Sequence, residues 1–248
     1  MELVEVAREL VLERHPGARA AFLGGSVLTG WRTVMSDLDV VVLLHGVPAP
    51  YRESFRGWGW PVEMFVHTES SWEAYVGREV GQGRSPLLFM CAEGELLFDV
   101  DGVGARIGAR ARELVDAGPP DVSGEEVEDL RYAITDLLDD LAGSRDQSER
   151  LFIATELARR TGELALVVRR SWRGSGKWLA RRLDIAAPGL GERLRRGVKD
   201  VLDGRDEVLV GVVDEVLGDV GGRLWVGYRR GGVSAVEGRS NGPVAYGR

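Results

Sequence analysis

Two apolar runs separated by a glycine turn and a pair of acids constrain this chain more than any other stretch. Residues 20–23 are apolar and end at Gly24-Gly25-Ser26. After ten intervening residues, Asp37-Leu38-Asp39 opens a second apolar run, 40–44. Side chains on a strand alternate between faces, so Asp37 and Asp39 share one side while Leu38 points into a core. Two neighbouring carboxylates repel unless positive charge lies between them, and a divalent cation is the usual answer. Glycines let the backbone come close to phosphate oxygens, and Ser26 adds a hydroxyl and an expected N-cap. A third carboxylate, Glu63, falls in the short predicted strand 61–66. The set points to metal-assisted chemistry on a nucleotide.

In kind, order and approximate spacing, Gly25-Ser26, Asp37-Leu38-Asp39 and Val62-Glu63-Met64 resemble the motif of the nucleotidyltransferase superfamily. That superfamily includes DNA polymerase beta and the antibiotic nucleotidyltransferases acting on aminoglycosides and lincosamides. The resemblance covers about the first 100 residues. It implies an α+β chain: an N-terminal nucleotidyltransferase fold, with a small mixed sheet flanked by helices, followed by an α-helical bundle.

The 248 residues suffice for one large domain or two ordinary ones. A composition 44% hydrophobic and 29% charged is that of a soluble globular protein. The net charge of −7 argues against a general nucleic-acid coat, though residues 145–200 carry 14 Arg or Lys against 7 Asp or Glu. A single cysteine, Cys91, excludes an internal disulfide and fits a reducing cytoplasm. With no secretory signal and no apolar stretch near 18 residues, a cytoplasmic protein without membrane contact is expected.

Helical spacing over residues 2–14 is followed by the strand 18–23, a short helix expected at 27–31, and the strand 37–44. Residues 45–59, with Pro48 and Pro50, read as an exposed connection with a short helix near 52–56. Trp58 and Trp60 fit rim packing better than a substrate cleft. His67 shares the Glu63 side of a regular strand, as a structural or solvated histidine before a catalytic one. Ser70-Ser71 precede a helix ended at 81–83, then come a strand at 95–100 and a helix at 102–115. Cys91 reads as a buried core residue rather than a nucleophile.

The expected domains are 1–118, 123–220 and a glycine-rich tail, 226–248. Pro119-Pro120 break the chain, and Ser123-Gly124-Glu125-Glu126 restarts it as a capping box. Four or five helices follow, with apolar stripes such as Leu130, Ile134, Leu137, Leu138 and Leu141.

As the resemblance implies, Asp37, Asp39 and Glu63 are the metal ligands and catalytic acids, holding one or two Mg²⁺ ions. Gly25 and Ser26 bind the phosphates of an NTP, with ATP the first choice. Nucleoside monophosphate then passes to a hydroxyl of a small-molecule acceptor, an aminoglycoside-like antibiotic among the options, bound by the helical half. Asp136, beside Tyr132, Asp139 and Asp140, is the candidate general base; a solvated acidic helix face is the plainer alternative. Lys177, in Arg173-Gly174-Ser175-Gly176-Lys177-Trp178, is the candidate phosphate contact from the second half, against an ordinary interhelix loop. The spacing is not that of a Walker loop. Modification of a protein or RNA, as by antitoxins of this superfamily, and a non-catalytic binding protein are the rival readings. Acceptor, nucleotide preference and oligomeric state are open from sequence.

Overall fold

The computed structural model describes residues 2–231, so the tail expected at 226–248 lies outside the described residues from 232 onward. The chain is a mixed α+β protein. Helix α1 (Leu3–Arg14) leads into β1 (Ala20–Gly24), a single 3-10 turn (Ser26–Leu28) and β2 (Leu38–Leu43). Next come β3 (Tyr51–Gly57), β4 (Trp60–His67), α2 (Glu69–Gly81), α3 (Pro86–Ala92), β5 (Glu95–Asp99) and α4 (Val103–Ala117). The second half is helical: α5 (Gly124–Gly143), α6 (Gln147–Val168), α7 (Lys177–Ala186), α8 (Leu190–Leu202) and α9 (Glu207–Gly218).

The five strands form one sheet in the order β3-β4-β2-β1-β5, with β2 and β4 parallel and the other neighbours antiparallel. Alternation along the strands divides the core. Ala21, Leu23, Leu38, Val40, Val42, Val62, Met64 and Val66 face α1, whereas Ala20, Phe22, Val41 and Leu43 face α2, α3 and α4. Gly24, Asp39 and Glu63 share the parity of the second set. A separate apolar cluster holds the helical half together, built on Leu138, Leu157, Leu164 and Leu209.

Several expectations are corrected. Residues 51–57 are a strand, not a connection with a short helix. Tyr51, Glu53 and Phe55 alternate with Arg52, Ser54 and Arg56, a period-two pattern that a hairpin with β4 uses. The helix expected at 27–31 shrinks to the 3-10 turn, since Thr29 bonds back to the Ser26 carbonyl and an extended segment follows. Ser26 is not the N-cap there; Gly25 is. Thr68, not Ser70 or Ser71, caps α2, with Ser71 completing a capping box. Helix α3 was not anticipated, although Ser85-Pro86 is a start signal: the Ser85 hydroxyl accepts from the Leu88 N–H, and Pro86 lacks an N–H to satisfy.

The halves meet along the loop between α6 and α7. Its Trp172 is buried against the α2–α4 face of the sheet, donating Nε1–H to the Val115 carbonyl at 3.3 Å. Its Arg173 N–H donates to the Gly83 carbonyl at 2.8 Å. The return of this loop sets where α7 begins.

Candidate active site

Strand register brings the acids together. In the ladder Gly24 pairs with Asp39, and Asp39 pairs with Glu63 across the parallel β2–β4 step. Asp37 stands two residues before Asp39, on the same side. One carboxylate oxygen from each of Asp37, Asp39 and Glu63 lies within 4.8 Å of the others. Among the described residues this is the one group of three or more His, Cys, Asp or Glu side chains so gathered. Burial first, and then the charges of Asp37 and Glu63, push the Asp39 carboxyl up to about 6; Lys177 and Arg52 act in the opposite direction.

Three oxygen donors on rigid strand ends, mutually repelling, fit a hard divalent cation such as Mg²⁺. Their oxygens lie within 4.8 Å of one another, and a bound cation would offset the mutual repulsion of the three charges. Arg52, on the adjacent β3, donates to Glu63 and stacks over Phe65 at 4.7 Å, while Ser54 donates to the same Glu63 oxygen at 3.2 Å. Both hold the Glu63 carboxylate in place.

The turn before the acids is equally constrained. Gly25 has φ +81°, and a Cβ there would sit 2.0 Å from Asp39 Oδ2. Only glycine lets the backbone pass so close to that carboxylate. The Ser26 hydroxyl is buried and bonds the Ser36 hydroxyl at 3.0 Å; Ser36 in turn accepts the Thr33 N–H at 2.9 Å. Ser26 thus ties the turn to the segment that delivers Asp37, and its side chain is not in the lining of the cleft.

A cleft of about 440 Å³ opens at the acids, lined on one side by Gly24, Gly25, Asp37, Asp39 and Glu63. The lining also takes in Phe89 of α3, Gly174 of the loop before α7, and Lys177, Trp178 and Arg182 of α7. Lys177 therefore reaches the site from the second half of the chain, where its charge bears on Asp39. It is the first residue of α7, at the positive end of the helix dipole. Cation and dipole together favour an anion.

Asp136 is not brought to the site. It lies on α5, outside the cleft lining, and neighbouring Tyr132 stacks on Tyr228 at 4.0 Å rather than facing a ligand. The α5 acids expected around an acceptor are likewise not in the lining. His67 is buried, contacts Ser71 Oγ at 3.2 Å and packs edge-on to Tyr75; burial lowers its pKa. Trp58 donates to Glu13 and Trp60 lies under Arg32, both away from the cleft. Burial pushes the Cys91 thiol up to about 12, so it is no thiolate nucleophile. Sequence reasoning missed Arg52, Phe89 and Arg182. The alternation of residues 51–57 could have placed the first, and the Ser85-Pro86 start signal the second.

No family model and no curated protein matches the chain. Among solved structures it is similar to a nucleotidyltransferase-like protein from Exiguobacterium sibiricum 255-15, with 11% identity and a TM-score of 0.41. That match covers 88% of this chain and 79% of the other. Among the described residues no helix is long and apolar enough to cross a membrane.

Proposed function

We propose that the protein is a nucleotidyltransferase, moving a nucleoside monophosphate from an NTP to a hydroxyl of a small-molecule acceptor with Mg²⁺ as cofactor. The observation that carries this reading is the focus of Asp37, Asp39 and Glu63 at one end of a cleft flanked by Gly25 and Lys177. Asp37, Asp39 and Glu63 would hold the ion. When bound, a divalent cation there neutralises phosphate charge and lowers the pKa of an attacking hydroxyl.

The chain's own groups do the rest by positioning and charge. The Gly24-Gly25 turn admits phosphate oxygens against the backbone. Lys177 and the amino end of α7 receive polyphosphate charge from the opposite wall. Arg52 and Ser54 fix Glu63 so that it does not swing away from the other acids. The acceptor oxygen bonds the α-phosphorus, the bond from that phosphorus to the bridging oxygen breaks, and pyrophosphate leaves with the electron pair. The hydroxyl proton passes to solvent or to a carboxylate of the cleft, whose lining does not include Asp136.

An aminoglycoside-like acceptor is what the resemblance implies, and the α5 acids that could receive such a cation are not in the lining of this cleft. An RNA acceptor rested on the basic span 145–200. Nine of its 14 cations form ion pairs, such as Arg150–Asp206, Arg159–Glu156 and Arg193–Glu215, so much of that positive charge is neutralised locally. Incubation with Mg²⁺, each α-labelled NTP and a panel of hydroxyl acceptors, with cell extract as one source, tests the proposal. Label should move to an acceptor in wild type and not in Asp37→Asn. No transfer or pyrophosphate release with any NTP would count against it.

A further inference from the structure

We propose that Arg181 is a positioning residue: lying over the rings of both Trp31 and Trp178, it clamps the segment leading to Asp37 against the helix that carries Lys177. Its part in catalysis rests on the nucleotidyl-transfer reading; the clamp itself does not.

The Arg181 guanidinium lies 5.0 Å from the Trp31 ring centroid and 4.8 Å from that of Trp178. Trp31 belongs to the segment between the 3-10 turn and β2, and Trp178 to α7. Both indoles are exposed and stand outside the three apolar clusters, so core packing does not account for them. Tryptophan is the strongest cation–π partner, and a planar guanidinium stacks on it. Half-buried Arg181 forms no ion pair, and its buried Nη1 atom no hydrogen bond, among the described residues. The two rings are what hold it. Arg181 is not in the lining of the cleft, whereas Leu28 and Thr29, ahead of Trp31, and Lys177 and Trp178, at the start of α7, are. Its action is therefore through those neighbours.

On the sheet side, the Trp31 N–H donates to the Thr29 hydroxyl at 3.2 Å, and that hydroxyl donates to the Ser26 carbonyl at 3.0 Å. The Arg32 N–H bonds the Thr29 carbonyl at 3.2 Å, and the Thr33 N–H bonds the Ser36 hydroxyl at 2.9 Å. This bonded segment runs from the Gly25 turn straight into Asp37. On the helix side, Lys177 and Arg181 are four residues apart on α7 and so share one face. Helix α7 is packed into the helical half through Leu179 and Leu183, yet its Lys177 has to meet acids carried by the sheet. The loop before α7 is anchored to the first half by Trp172 and Arg173; Arg181 adds a tether one turn beyond Lys177. A lysine held from both sides keeps its place, whereas one held from the loop alone swings. Neighbouring Arg182 stacks on Phe89, also of the first half, but it lines the cleft, so removing it changes the substrate's surroundings as well. Arg181 is the tether that can be removed with the lining intact.

The test combines calorimetry with hydrogen exchange. Binding of an α,β-methylene NTP analogue with Mg²⁺ is measured in wild type, Arg181→Ala, Arg181→Lys, Lys177→Ala and Lys177→Ala/Arg181→Ala. Arg181→Ala should weaken the analogue at least fivefold, and Arg181→Lys, which keeps a cation for the rings, should stay within threefold of wild type. Because Arg181 acts through Lys177, the double variant should bind within twofold of Lys177→Ala alone. In the free proteins, the amides of residues 29–36 should exchange at least fivefold faster in Arg181→Ala than in wild type. Trp31→Ala removes an exposed ring and should repeat the loss of binding and the faster exchange if Arg181→Ala does not fold. The proposal is overturned if Arg181→Ala binds the analogue like wild type, if Arg181→Lys is no better than Arg181→Ala, if the Lys177 and Arg181 losses add, or if exchange over 29–36 is unchanged. Should the analogue not bind wild type, nucleotidyl transfer fails separately. Exchange in the free proteins then decides the clamp, faster exchange in Arg181→Ala supporting it and unchanged exchange overturning it.

Discussion

Gly25 and Asp39 leave no space between them: a methyl group on Gly25 would stand 2.0 Å from the Asp39 Oδ2 atom. The φ of +81° at Gly25 adds a second restriction, since L-residues with a side chain disfavour it. Gly25→Ala must therefore move the turn or the carboxylate. We expect a loss of about 1–3 kcal/mol in stability and of at least tenfold in Mn²⁺ affinity, measured by thermal melting and calorimetry. Gly59→Ala is the control, as it also has positive φ but has open space around its Cβ position; it should lose stability without losing Mn²⁺.

Asp39 should cost the metal-free protein stability at neutral pH. Its carboxyl is raised from 3.8 to about 6 in the fold, so the native state binds a proton more readily than the unfolded chain. Stability from this group is greatest at low pH, falls as pH rises from about 4 to about 6, and stays lowered above that. Asp39→Asn removes the penalty. Without metal the variant should be more stable than wild type at pH 7.5, by about 1–3 kcal/mol, with the difference shrinking towards pH 4. Mg²⁺ should raise the wild-type Tm and leave that of the variant nearly unchanged, while transfer activity is abolished in the variant. A wild-type chain more stable than Asp39→Asn at pH 7.5 in chelator would contradict this reading of the site.

Lys177→Ala removes a cation that begins α7 and bears on Asp39. The apparent KM for the nucleotide should rise about tenfold, a loss near 1.4 kcal/mol, with a smaller change in kcat. An unchanged KM would return the 173–178 stretch to the role of an interhelix loop.

Ser26 and Ser36 share one buried hydrogen bond. If that bond is their role, Ser26→Ala and Ser36→Ala should each lower stability by about 1 kcal/mol, and the double variant should lose little more than either single one. Nucleotide KM should shift equally in both. A much larger KM effect in Ser26→Ala would indicate direct phosphate contact by its hydroxyl.

Asp136→Asn should leave transfer within twofold of wild type under kcat and KM conditions alike, because Asp136 is not in the cleft lining. A loss above tenfold would restore it as the general base.

What sequence made legible followed from local periodicity and strand parity. Asp37, Asp39 and Glu63 could be placed on one side of a sheet because alternation needs no tertiary information, and their convergence required only that β2 and β4 be neighbours. The helical stripes were visible for the same reason. Ser26 and Asp136 show the limit. Which way a hydroxyl turns in a 3-10 turn depends on Ser36 arriving from ten residues away, and which face of α5 meets the first half depends on the loop that carries Trp172 back to the sheet. The strand at 51–57 is hidden by its neighbours: Pro48 and Pro50 signal a loop, and the alternation of a strand begins directly after them. Arg182 could not be singled out among 30 arginines, since its stacking on Phe89 is a property of packing.

The claim on which the account rests is that Asp37, Asp39 and Glu63 act together as a cation site serving a nucleotide. Its most direct test is an electron paramagnetic resonance titration of Mn²⁺ into wild type and Asp37→Asn/Asp39→Asn, with and without an α,β-methylene NTP analogue. Wild type should take up Mn²⁺, more tightly with the analogue present, and the double variant should retain its circular dichroism while binding at least a hundredfold more weakly. Equal Mn²⁺ binding by the two proteins, or no response of wild type to the analogue, would contradict it.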